Sequence, residues 1–264
     1  MSTQDNNVDA TRLVRMFRAA AGQIRANADA LSKYDSVGGD GDHGTTMVRA
    51  MGNLEKAIEE TVSGFKFQVS SCPGVASKLK RETSDQKRSV SSSAPNAHNV
   101  KPETGNVKPD LGTLLNNIGW AVMGTDGGAT GPLFGSFFSG MAPAAAGRNT
   151  LDAKTLAAAL EGGLANIQKY SKAKPGDKTM LDALIPAVQR MRASADAGAD
   201  SLASLRQAAE VAAQGAEATK QMVARVGRAK NIGEKSLGSP DPGAVSVSLI
   251  FKGFVEGAEE TFQV

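Results

Sequence analysis

Apolar side chains recur at helical spacing in one segment after another of this 264-residue chain, and that periodicity restricts the fold more than any other feature. Leu13, Phe17, Ile24 and Leu31 mark one face of a helix, and Met47, Met51, Leu54 and Ile58 mark the next. Comparable stripes follow at Leu111–Val122, Leu133–Met141, Leu156–Ile167, Leu181–Met191, Leu202–Met222 and Val247–Val255. No segment shows the period-two alternation of a half-buried strand. The expectation is an all-α chain of about eight helices, antiparallel because the connections are short, forming a bundle or barrel. Few aromatics (5%) and 29 glycines suit helices packed closely together.

Between the first two stripes lies Asp35-Ser-Val-Gly-Gly-Asp40-Gly-Asp42-His43-Gly44-Thr45-Thr46. Carboxylates at i, i+5 and i+7 share no helix face, and the interleaved glycines admit positive φ, so the stretch is a tight loop. Three carboxylates turned toward one point repel one another, and a hard divalent cation with oxygen ligands is the natural compensation. Asp35, Asp40 and Asp42 are therefore candidate Mg²⁺ ligands, with His43 beside them. A second helix starts at once, which places Thr45 and Thr46 at its N-terminus, where unpaired N–H groups favour an anion. Two other readings fail. The G-x-G-x-x-G match at Gly39–Gly44 follows a helix instead of a strand, and a calcium loop counted from Asp40 has Thr45 and Met51 where Gly and Glu are required.

Asp110 is placed to cap the third helix, which ends at Gly124-Thr-Asp-Gly-Gly-Ala129-Thr130-Gly-Pro132. Its glycines and Thr130, at the start of a helix, read as backbone donors for a phosphate. No G-x-x-x-x-G-K-[ST] occurs, which excludes a P-loop ATPase. Further loops run over Pro175–Thr179 and Gly227–Ala244. In an antiparallel bundle the connections after helices 1, 3, 5 and 7 gather at one end. Metal ligands, anion donors and Arg228 then share one mouth.

A single cysteine, Cys72, excludes an internal disulfide framework. The N-terminus is polar, without the apolar core of a signal peptide, and no run reaches membrane-spanning length, so the expected location is cytoplasmic with no membrane association. Net charge is +3, but residues 63–109 alone hold eight Lys/Arg against three Asp/Glu, leaving −2 for the remainder. This basic, Ser/Pro-rich stretch reads as a long loop inserted into a single domain spanning 1–264. Its only aromatics are Phe65 and Phe67 and it carries no binding motif, which disfavours nucleic acid as a partner.

The motifs Gly39-Asp-Gly-Asp-His-Gly44 with Asp35 upstream, Gly127-Gly-Ala-Thr-Gly-Pro-Leu-Phe-Gly135, Gly176-Asp-Lys-Thr-Met180, Gly227-Arg-Ala229, Gly233-Glu-Lys-Ser236 and Asp241-Pro-Gly-Ala244 occur in the order found in dihydroxyacetone kinase L subunits and L domains. The chain resembles that family outside 63–109. The resemblance implies a barrel of eight antiparallel helices with ATP or ADP at one end. By position, Asp35, Asp40 and Asp42 would hold two Mg²⁺ ions. His43, Gly44, Thr45, Thr46, Ala129 and Thr130 would line the phosphate site, while Met180, Arg228, Asp241, Pro242 and Gly243 would enclose the rest of the nucleotide. The implied chemistry is phosphorylation of a short ketose such as dihydroxyacetone, held by a separate K-type subunit. The family usually carries Asn at the position of Thr46, and a glycine where this chain has Ser171. Its relatives lack the 63–109 insertion.

Three readings stay open beside the ATP-dependent kinase. In one, ADP remains bound as a phosphocarrier recharged by a phosphotransferase-system protein. A second is the related fatty-acid kinase type, which carries Thr where His43 stands. The third is a non-catalytic interaction module, against which the three intact aspartates weigh. Neither the ketose nor the oligomeric state, a homodimer included, is legible in the residues.

Overall fold

The structure is a computed structural model that describes residues 7–63 and 110–260. Among the described residues are nine α-helices: α1 (Ala10–Ala26), α2 (Ala28–Asp35), α3 (His43–Val62), α4 (Leu111–Met123), α5 (Thr130–Ala145), α6 (Ala153–Tyr170), α7 (Leu181–Asp196), α8 (Ser201–Ala218) and α9 (Pro242–Glu259). The all-α expectation holds. The strands among the described residues are a two-residue antiparallel bridge between β1 (Val8–Asp9) and β2 (Thr150–Leu151), too short to leave a periodicity.

The helix expected from Thr11 to Leu31 divides at Asn27, whose backbone leaves the helical region (φ −115°) while its side chain bonds back to Gln23 O at 2.8 Å. Counting α1 and α2 as one broken helix restores eight. The alanine-rich helix stops at Ala218, short of Met222, where a 3₁₀ turn over Thr219–Gln221 takes over. Beyond Ser63, the stretch expected as an insertion lies outside the described residues.

From α2 onward each helix packs on the next in sequence, α1 lies against α3, and α9 closes the ring by packing along α1. The closure depends on small residues. A Cβ at Gly253 or Gly257 would collide with the α1 backbone at Ala20 or Arg15, so these glycines let α1 and α9 approach closely. Phe17 fills the centre, edge-on to Phe138 at 5.2 Å and to Phe254 at 5.1 Å.

The two ends differ in how helix N-termini are satisfied. At the end away from the predicted mouth, α1, α4, α6 and α8 start on Asp9, Asp110, Asp152 and Asp200, each accepting a first-turn N–H. At the opposite end α3, α5 and α7 start without a side-chain bond from their N-cap residues. There α9 is capped by its own Asp241 through Ala244 N at 2.7 Å, whereas Gly44 N of α3 and Leu181 N of α7 are met by Ser32 Oγ and Thr179 Oγ1, both at 3.2 Å.

Candidate functional site

The four connections at this second end surround a cavity of about 590 Å³. Its first wall is the loop between α2 and α3. Gly38 N and Gly39 N donate to Asp35 O, Gly41 adopts φ +74°, and Asp42 N reaches Asp35 Oδ2 at 3.1 Å. This turn brings one carboxylate oxygen each of Asp35, Asp40 and Asp42 to within 4.8 Å of one another. An all-oxygen, three-carboxylate cluster with an open side fits Mg²⁺, which prefers hard ligands and retains waters. The electrostatics agree. Burial and the neighbouring Asp40 and Asp35 charges push the Asp42 carboxyl up, while a hydrogen bond from Arg228 holds Asp40 below the usual carboxylate range.

His43, the first residue of α3, is fixed between three helices. Its Nε2 lies 2.8 Å from Ser246 Oγ on α9 and its Nδ1 3.3 Å from Thr130 Oγ1 on α5. Burial holds the imidazole pKa below its ordinary value despite Asp35, which favours the neutral ring. A ring clamped at both nitrogens orients the loop and helix starts around it.

The remaining walls are Gly127–Thr130, Lys178–Met180, and Arg228 with Asp241–Gly243. The structure therefore brings Asp35, Asp40, Asp42, His43, Ala129, Thr130, Met180, Arg228, Asp241, Pro242 and Gly243 to one cavity. Gly44, Thr45 and Thr46 do not line it. Gly44 meets the α2 backbone at Ala28, where no Cβ would fit, and its N–H donates to Ser32 Oγ. Thr45 Oγ1 turns back to Asp42 O at 2.8 Å. Thr46 is buried beneath Gly127, its Oγ1 accepting from Arg49 at 3.0 Å. Their place at a helix N-terminus was legible. The direction of their side chains was not.

Sequence reasoning missed Lys178 and Asp182. Lys178 is buried with φ +62°, and its Nζ donates to Thr219 O and Ser239 O, both at 2.7 Å, tying three loops together. Asp182 accepts from Gly176 N at 2.5 Å and Thr179 N at 2.7 Å, bracing the turn before α7. The available signal was Thr179-Met-Leu-Asp182, the S/T-x-x-D/E pattern of a helix start. The chain's two tyrosines, Tyr34 and Tyr170, also line the cavity and follow no motif.

A sequence profile of the DAK2 domain matches residues 87–256. The chain belongs to the DAK2-domain family. Over 250 residues it is 29% identical to the Escherichia coli PEP-dependent dihydroxyacetone kinase, ADP-binding subunit DhaL, covering 95% of this chain and 98% of that subunit. It is 43% identical over 130 residues to the mouse triokinase/FMN cyclase, a match that covers 49% of this chain but 22% of the enzyme. Among solved structures, the dihydroxyacetone kinase from C. freundii in complex with AMP-PNP and Mg²⁺ superposes with a TM-score of 0.59 at 24% identity, covering 97% of this chain and 36% of that one. That likeness shows the shared fold. The chain thus spans nearly all of one DAK2-family relative and about a fifth to a third of the longer kinases. No helix among the described residues is long and apolar enough to cross a membrane.

Proposed function

We propose that this DAK2-family chain binds Mg²⁺ with ATP or ADP and acts as the nucleotide half of a ketose kinase whose acceptor sits on a separate K-type subunit. The observation that carries the reading is the convergence of Asp35, Asp40 and Asp42, Arg228 and the α5 start, whose N-cap residue offers no side-chain bond, on one cavity. Carboxylates hold cations, and helix N-termini and guanidinium groups hold phosphates. Mg²⁺ at the aspartates would neutralise phosphate charge, which is most of what phosphoryl transfer requires. Arg228 and the backbone of Gly127–Thr130 would fix the phosphate chain, while Met180 and Asp241–Gly243 would enclose the rest of the nucleotide. With His43 clamped by Ser246 and Thr130, activation of the acceptor hydroxyl falls to the partner.

Titration calorimetry with ADP and Mg²⁺ tests the site. Asp40→Ala should lose Mg²⁺-dependent ADP binding with an unchanged helical circular-dichroism spectrum, and unaltered affinity would overturn the assignment. Purified chain alone turning over ATP and dihydroxyacetone would refute the need for a partner. A second reading, ADP as a bound phosphocarrier, draws on the PEP-dependent ADP-binding subunit matched along nearly its whole length. ADP that survives purification and resists exchange with free ATP would favour it. Rapid exchange favours the ATP-dependent kinase.

A further inference from the structure

The acidic loop has an internal cation already. Arg228 forms an ion pair with Asp40, and both side chains are accessible, at 62% and 47% relative exposure. The guanidinium is delivered by Arg228–Ser236, a 3₁₀ segment bounded by Gly227 at φ +68° and broken by Gly233 at φ +55°. Neither glycine has a neighbour that a Cβ would strike, so the backbone turn itself is what calls for glycine at both positions. The segment is seated against the acidic loop, with a Cβ at Gly38 falling 2.7 Å from that of Ala229. Its far end is anchored by Ser236, which accepts from Ala224 N at 3.0 Å.

A metal ion held by Asp35, Asp40 and Asp42 and the Arg228 guanidinium are two positive groups that need the same Asp40 carboxylate. They exclude one another there by charge and by occupancy. Once displaced, the guanidinium stays in the wall of the same cavity, where a phosphate is its natural partner. Building on the metal–nucleotide reading above, we infer that Arg228 is an exchangeable counter-ion: it occupies Asp40 until metal and phosphate arrive together, and so couples their binding. The residue opposes the bare cation and supports the cation–nucleotide complex. A simple phosphate ligand would only do the second.

The opposite signs supply the test. Mn²⁺ binding to the full-length protein is followed by electron paramagnetic resonance, with and without ADP. Without nucleotide, Arg228→Ala and Arg228→Gln should bind Mn²⁺ about three- to tenfold more tightly than wild type, the scale of removing one solvent-screened like charge a few ångströms away. With ADP, both should bind Mn²⁺ more weakly than wild type, so that the coupling between the two ligands shrinks. Arg228→Lys, which keeps the charge, should restore the weak binding of the bare ion. Lys230→Ala, an exposed charge on the same segment with no bond to Asp40, should leave it unchanged. Equal or weaker binding of the bare ion in both Arg228 variants would overturn the exchange, as would an equal gain in Lys230→Ala. Wild-type protein that fails to bind Mn²⁺ even with ADP would overturn the metal–nucleotide reading itself.

Discussion

At the scale of single residues, the wall behind the cavity rests on Lys178 and Asp241. Lys178 neutralises no carboxylate at ion-pair distance among the described residues. Its ammonium is held by two carbonyl oxygens, and burial lowers its pKa while the Asp241 charge opposes that shift. Lys178→Met keeps the volume but leaves Ser239 O without its donor and Thr219 O with Met222 N alone at 3.1 Å, and a part-buried acceptor that loses its partner costs about 1–3 kcal/mol. Urea denaturation should show a loss of roughly 2 kcal/mol or more, and undiminished stability would remove Lys178 from this role. Asp241 behaves oppositely. Burial, with Asp182 and Asp35 adding repulsion, pushes its carboxyl up to about 7 against Ala244 N–H and Lys178. Its unfolded pKa is about 3.9, so the unfolded chain releases the proton first as pH rises. Stability therefore falls between about pH 4 and 7 and levels off above. Asp241→Asn keeps an acceptor for Ala244 N–H and removes the titration. Relative to it, the wild type should lose about 2 kcal/mol between pH 5 and 8, and parallel pH profiles would refute the shift.

At the scale of elements, α3 carries the glycine-rich loop. His43, Thr46, Arg49 and Asn53 follow one another at spacings of three, three and four along a single face. His43 meets Thr130, Thr46 and Arg49 sit under Gly127, and Asn53 donates to Thr125 Oγ1 at 3.0 Å. Gly127 needs to be glycine twice over, since its φ is +119° and a Cβ would lie 2.7 Å from Thr46 Oγ1. Gly127→Ala should lift the loop from this shelf and weaken Mg-ADP binding by about tenfold, an energy near 1.4 kcal/mol. A variant that binds as well as wild type would show that the loop does not depend on the shelf. The loop was legible in the sequence because Gly, Thr and Pro at a helix boundary carry their own signal. The shelf was not, because Arg49 and Asn53 sit on a polar face that periodicity assigns to solvent. Thr46 shows the same limit: its position placed it among the phosphate contacts, whereas its side chain points under the loop.

At the scale of the whole molecule, helix parity foretold the mouth, since antiparallel neighbours force alternate loops to one end. What it could not supply was closure of α9 on α1, a long-range contact set by Gly253 and Gly257 whose partners lie more than two hundred residues away. The same parity places the attachment points of 64–109. α3 starts at the mouth with His43 and runs 20 residues, about 30 Å, before Ser63, and Asp110 starts α4 beside Gly147 and Arg148 at that far end. These attachment points are remote from Asp35, Asp40 and Asp42. A flexible Gly/Ser linker in place of 64–109 alters none of the described residues of the mouth, and the closure entropy of a flexible loop varies slowly with its length. Calorimetry on the shortened chain should give Mg-ADP affinity within about twofold of wild type, a difference near 0.4 kcal/mol. A tenfold loss would mean that residues between Ser63 and Asp110 contribute to nucleotide binding at the opposite end and would overturn the prediction.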